Sequence, residues 1–191
     1  GWWMKIPTVV FDDMEHAKLQ AAISLRFATY VCTGEGFFKP LGPSQVSFNA
    51  QHVLSYMAPK YFTPNPESLK KTGLDPETPY VFVRLVSWQA AHDRGRTQSP
   101  IQAVESLVER LLPYARVILS SEMPLPKHLE AYGSTVPIEH VHDLLAYAAL
   151  CTVEAGGTMA AEAAVLGTPT VCFNTFELGY YLSLKQRGLI Q

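Results

Sequence analysis

No run of about 18 apolar residues occurs in this chain of 191 residues, and no positively charged start leads into an apolar stretch. The sequence therefore signals neither a membrane-spanning helix nor a secretory leader, and a cytoplasmic location is the expectation. Cysteine is scarce. Cys32, Cys151 and Cys172 are odd in number, far apart and flanked by apolar strand-forming residues, which excludes a disulfide framework or zinc knuckle and predicts unpaired thiols packed inside. Excess positive charge is also missing. With 15 Lys plus Arg against 17 Asp plus Glu the formal charge is -2, so no basic face recommends nucleic acid or an acidic membrane, and a small-molecule partner is expected instead. A metal set is lacking too, because His140 and His142 are two apart and point to different faces of a helix.

What the chain does have is a hydrophobic share of 48% and a strand-helix alternation. Pro7 to Phe11 reads as a buried strand, Met14 to Ala28 as a helix and Thr29 to Thr33 as a second strand, an order that predicts parallel pairing through a crossover. Glycines and prolines then break the stretch from Gly34 to Pro66 into short extended pieces. From Tyr80 the alternation becomes regular. Strands are read at Tyr80 to Val86, Arg116 to Ser120, Leu150 to Val153 and Thr170 to Phe173. Helices are read at Ile101 to Leu112, Pro124 to Tyr132, Ile138 to Ala148 and Met159 to Leu166, with a short extended piece at Ser134 to Val136. The fold class is therefore α/β, with mostly parallel sheets covered by helices.

The two halves differ in completeness. Residues 1–60 offer two clear strands and one helix, too little to bury both faces of a sheet. They read as the remnant of a Rossmann-like domain, residues 61–77 as a linker and residues 78–191 as a C-terminal Rossmann-like nucleotide-binding domain. Pro64, Pro66, Pro76 and Pro79 crowd the linker, and few apolar residues there are expected to tie it to either core. Val9, Val10 and Phe11 are expected to leave an apolar edge exposed, so self-association or dependence on a partner chain is anticipated.

Three segments carry chemistry. The sharpest is Val153-Glu154-Ala155-Gly156-Gly157-Thr158-Met159-Ala160-Ala161-Glu162. A strand ends, Gly156 and Gly157 allow a tight turn and close approach, and Thr158 can cap a helix whose free N–H groups suit a phosphate. Glu162, one turn on, is placed to meet a sugar hydroxyl, unless it is only a solvated helix residue. Gly167-Thr168-Pro169 then stops the helix and returns the chain to the sheet. The second segment follows the strand at Tyr80, where open α/β sheets hold ligands. It offers Arg84, Ser87, Trp88, His92, Arg94 and Arg96 for a polar ligand, or for ordinary packing, ion pairing and solvation. Glu122, after the next strand, borders the same cleft. The third is Asp12-Asp13-Met14-Glu15-His16. There Asp12, Asp13 and His16 supply acid-base groups or, equally, the cap of the following helix.

Pro7 to Lys18 (PTVVFDDMEHAK), Tyr80 to Asp93 (YVFVRLVSWQAAHD), Ile138 to Leu150 and Glu154 to Pro169 (EAGGTMAAEAAVLGTP) together resemble the family catalogued as domain of unknown function 354. Its members resemble GT-B glycosyltransferases and the non-hydrolysing UDP-N-acetylglucosamine 2-epimerases. The resemblance implies a two-domain GT-B-like fold with two Rossmann-like layers, the first incomplete here, and an active cleft between them. It also implies that UDP or a UDP-sugar is the ligand, with no obligatory cofactor. By resemblance to the transferase that adds N-acetylglucosamine to the peptidoglycan lipid precursor, Gly156, Gly157 and Thr158 match the pyrophosphate turn and Glu162 the ribose contact. By resemblance to the epimerases, Asp12 or Asp13 matches a catalytic carboxylate. The epimerases' His-Arg pair is not matched, because the chain reads Arg84-Leu85-Val86-Ser87, with His92 further along. The expectation is a nucleotide-sugar enzyme of glycosyltransferase-like or epimerase-like type, or else a non-catalytic nucleotide-binding or structural protein on the same fold.

Overall fold

The computed structural model describes residues 1–71, 73–75, 77–87, 99–134, 136–154, 157–173 and 178–191. Among them two separate parallel sheets form, each covered by helices. The N-terminal sheet has the order β1-β2-β3, with β1 at Val9–Asp12, β2 at Tyr30–Thr33 and β3 at Gln45–Ser47. The C-terminal sheet has the order β5-β4-β6-β7, with β4 at Tyr80–Leu85, β5 at Arg116–Ser121, β6 at Leu150–Val153 and β7 at Thr170–Cys172. The helices are α1 (Lys18–Phe27), α2 (Leu54–Met57), α3 (Pro66–Lys71), α4 (Ile101–Leu111), α5 (Val141–Ala146), α6 (Thr158–Val165) and α7 (Gly179–Gln186).

Strand β4 shows why the C-terminal layer is wound on both sides. Side chains alternate across a strand, and Tyr80 and Phe82 join Ile118, Cys151 and Val153 beneath α3, α5 and α6. Val81, Val83 and Leu85 join Val117 and Leu119 on the opposite face, against Val104 and Val108 of α4. Both faces are apolar because both are covered, which accounts for the unbroken run YVFV.

The N-terminal sheet is covered on one face. Val31 is fully buried, whereas Val9, Phe11, Tyr30 and Val46, which the register places on the opposite face, are exposed. The anticipated apolar surface is thus present at Val9 and Phe11, while Val10 is half-buried.

Several local readings change. Pro124 to Tyr132 forms only a 3-10 turn at Glu130–Tyr132; the extended piece read at Ser134 to Val136 lies partly outside the described residues, and beside it a bridge joins Gly133 to Leu119. Two prolines, Pro124 and Pro126, deny that first segment its helical N–H donors. Ile138 to Ala148 divides into a 3-10 turn at Ile138–His140 and α5. Helix α1 begins at Lys18, later than Met14, after a turn in which the Met14 N–H donates to Asp12 Oδ1 at 3.0 Å. The stretch 61–77 is better anchored than its prolines suggested, because Leu69 and Leu74 are buried with Tyr80 and Leu144 in the C-terminal core. Of the cysteines only Cys151 is fully buried; Cys32 and Cys172 are half-buried, and none of the three forms a disulfide. No described helix is long and apolar enough to cross a membrane.

Helix α7, unforeseen in the sequence reading, joins the two parts. Leu178, Tyr181 and Leu184 pack with Val53 and Met57 beside α2 and with Ala161 and Ala164 of α6. Gly36 and Gly179 meet backbone to backbone, and a Cβ on either would overlap the other's main chain. At Gly36 the backbone is also left-handed, φ 83°, so glycine is required there twice over.

Candidate functional site

Parallel strands deliver their loops to one end of a sheet, and here two such ends face each other. A cavity of about 190 Å³ is lined by Asp13 after β1, Glu35 after β2, His52 and Tyr56 around α2, Thr158 and Ala161 on α6, and Tyr180 on α7. It brings together Asp13 and Thr158, which the sequence offered in separate segments.

Around Asp13 the arrangement is specific. Its Oδ2 lies 3.6 Å from His52 Nδ1, an electrostatic approach longer than a hydrogen bond. The His52 ring is stacked on Phe48 at 5.1 Å and edge-on to Phe11 at 5.8 Å, and its Nε2 is buried without a partner among the described residues. Neither Asp12 nor Asp13 caps α1, whose N-cap is Ala17. His16 is exposed, with its ring 6.4 Å from that of Phe38. Glu15, between them, is buried and accepts the Gly179 N–H at 3.0 Å.

The α6 segment differs in detail from its sequence reading. Gly157 is the N-cap, with φ -99° and ψ -165°, so it needs no left-handed backbone; Thr158 is the first helical residue and makes no side-chain cap bond. The exposed Thr158 lines the cavity, and the first turn of a helix leaves N–H groups without an intrahelical acceptor. Gly167, at φ 82°, ends the helix as its sequence implied. Glu162 is buried, only 8% exposed, which removes the option of a solvated residue. The Tyr56 hydroxyl donates to its Oε1 at 2.7 Å, and His142 Nε2 lies 3.2 Å from the same oxygen. Burial first and the Glu162 carboxylate second push the Tyr56 phenol well above its ordinary range, so it remains a donor.

The β4 end forms a cluster closed on itself. Arg84 donates to Ser120 Oγ at 2.8 Å and to Glu122 Oε1 at 2.7 Å, while Ser87 donates its N–H and its hydroxyl to Glu122 Oε2, each at 3.0 Å. The Ser87 backbone bond, foremost, and the Arg84 charge hold the Glu122 carboxyl below its usual range. Trp88, His92, Arg94 and Arg96 lie outside the described residues, as does Gly156. Glu154, at the end of β6, is completely buried and accepts the Val86 N–H at 3.0 Å and the Ser99 N–H, so it ties together the two described ends of the segment after β4.

Sequence reasoning missed Tyr56, His52 and Glu154. For Glu154 a signal existed, since a carboxylate directly after a buried strand needs donors. For Tyr56 and His52 there was none, because their partners lie far away in the chain. No group of His, Cys, Asp or Glu among the described residues is arranged to hold a metal ion.

No family model matches the chain. It is 28% identical over 196 residues to an uncharacterized protein of Methanocaldococcus jannaschii, a match that takes in 96% of this chain and 57% of the relative. Among solved structures it is similar to a protein of Listeria monocytogenes with a provisional assignment as a UDP-N-acetylglucosamine 2-epimerase. The TM-score is 0.53 and the identity 13%, over 96% of this chain and 60% of that one. The chain thus spans less than two thirds of the length of either. The structural likeness shows a GT-B-like architecture of two Rossmann-like layers.

Proposed function

We propose that this chain is the nucleotide-sugar-binding portion of an enzyme of glycosyltransferase-like or epimerase-like type, with a UDP-sugar as its ligand. The observation that carries the reading is the cavity shared by Asp13 and Thr158, which puts a carboxylate opposite the start of a helix across a crevice between two sheets. In this reading the diphosphate lies on the N–H groups at Gly156–Thr158, where the helix dipole favours an anion. The ribose is held by Glu162. Asp13, oriented by His52, faces the sugar as the acid-base group, with Asp12, His16 and His92 as further candidates. Arg84, Ser87, Trp88 and Glu122 border the nucleotide.

The described residues lining the cavity include no Lys or Arg, so the α6 backbone supplies the charge compensation among them and affinity for bare diphosphate should be modest. The electron-rich wall of Phe37, Tyr56 and Tyr180 suits the apolar face of a sugar or base.

Calorimetric titration with UDP, ADP and inorganic diphosphate tests this. UDP should bind best. Gly157→Val should abolish binding of all three by crowding the phosphate site, and Glu162→Gln should cost about 1–3 kcal/mol with UDP and ADP but not with inorganic diphosphate. Equal binding of every ligand by every variant would remove the nucleotide-sugar reading.

A further inference from the structure

Glu162 receives two donors on one oxygen. Tyr56, 106 residues earlier and on a helix that follows the N-terminal sheet, donates to Oε1 at 2.7 Å; His142 of α5 lies 3.2 Å from that same atom. The rings of Tyr56 and His142 lie 5.9 Å apart and tilted by 30°, and Phe62 meets His142 edge-on at 5.6 Å. These contacts leave the carboxylate little rotamer freedom. Both contacts fall on Oε1 and neither on Oε2. A carboxylate has about four acceptor positions, so two contacts on one oxygen fix the plane of the group and with it the direction of the second.

We propose that Tyr56 is a positioning residue for nucleoside recognition: by anchoring Oε1 of Glu162 it makes Oε2 a single pre-aimed acceptor for ribose hydroxyls. This rests on the assignment of α6 to the nucleotide. Its consequence is that the C-terminal layer does not recognise a nucleoside by itself. The side chain that aims its acceptor comes from the other part of the chain, so nucleoside selectivity requires the two parts to be docked. The rotamer entropy of a long acidic side chain is lost before the ligand arrives, which is how preorganisation converts a contact into selectivity. His142 supports the same oxygen from within the C-terminal layer and is the weaker of the two, given its longer distance. Tyr56 also lines the cavity, so a ligand there lies beside the anchor itself.

The test is the ratio of affinities for UDP and 3′-deoxy-UDP, with inorganic diphosphate as a control, in the full chain and in Tyr56→Phe, His142→Ala and Glu162→Gln. Tyr56→Phe keeps the ring and its packing. It should lower the ratio by roughly five- to tenfold, the effect of misplacing one charge-assisted hydrogen bond, and leave diphosphate affinity unchanged. His142→Ala should move the ratio in the same direction, and decides the matter if the first variant does not fold. A ratio untouched by both substitutions but lowered by Glu162→Gln would overturn the role of Tyr56 and leave the ribose assignment standing. A ratio untouched by Glu162→Gln, or failure of the unaltered chain to bind UDP, would overturn the ribose assignment and this inference with it. Equal weakening toward all three ligands in Tyr56→Phe would make Tyr56 a structural contact only.

Discussion

Glu15 and Gly179 are 164 residues apart in the chain and joined by one hydrogen bond, the Gly179 N–H donating to Glu15 Oε1 at 3.0 Å. Gly179 opens α7, so a buried carboxylate from the loop after β1 satisfies a donor that the helix cannot satisfy itself. The Phe38 N–H donates to the same oxygen at 3.4 Å. Glu35 reinforces the junction by accepting from Ser183 at 3.1 Å and pairing with Arg187.

Substituting either member of the pair should loosen the docking of α7. Glu15→Ala leaves buried donors unsatisfied and should cost about 1–3 kcal/mol in urea-induced unfolding. Gly179→Ala places a Cβ into the Gly36 backbone and should cost about as much by overpacking. Unchanged midpoints in both would show that the junction contributes nothing to stability.

Leu69 tests how the stretch around α3 is held. It is completely buried in the C-terminal core, so Leu69→Ala should lower unfolding free energy by about 2–5 kcal/mol through lost burial and the cavity left behind. A loss below half a kcal/mol would return residues 61–77 to the status of a loose connector.

Cys151 should be chemically silent. Burial, chiefly, pushes its thiol up to about 12 from an ordinary 9.0, and the thiolate is the reactive form. A thiol reagent at pH 8 should therefore label native protein at Cys32 and Cys172 well before Cys151, and Cys151→Ser should leave the fast phase unaltered. The raised value also fixes a sign for stability. Folding keeps the thiol protonated, so the contribution is complete below pH 9 and is lost as pH rises from 9 through about 12. A fast phase reduced by Cys151→Ser would contradict the assignment.

The uncovered face of the N-terminal sheet should be adhesive. Phe11 is 67% exposed, in register with half-buried Cys32, and Val9 and Tyr30 stand exposed beside it. A parallel sheet is ordinarily covered on both faces, so the chain should self-associate and bind a fluorescent apolar dye, and Phe11→Ser should diminish both. Sedimentation as a monomer at high concentration, with no dye binding, would refute this.

The C-terminal layer was legible in the sequence because its signals are local. The run Tyr80–Val83 is apolar on both faces, Gly167 stops α6 in a left-handed turn, and Leu150–Val153 leads straight into the α6 turn. Each of these depends on residues a few positions apart. Local chemistry also marked Asp13, Thr158 and Glu162 as worth attention. It did not decide the late start of α1, where the Asp12 turn takes precedence over a helical period, nor the 3-10 turn at Glu130–Tyr132.

What only the tertiary structure decided is which of these groups face one another. The sequence by itself left Glu162 open between a ribose contact and a solvated helix residue, and left Arg84, Ser87 and Glu122 open between ligand binding and pairing. Folding buries Glu162 under Tyr56 and His142, ties Arg84 and Ser87 to Glu122, and sets Asp13 across a cavity from Thr158. These outcomes rest on contacts between distant positions, 106 residues apart for Tyr56 and Glu162 and 164 for Glu15 and Gly179. Such contacts carry no periodicity and form only once two sheets and α7 have packed, which is why residue type and spacing along the chain determine the elements but not the site they enclose.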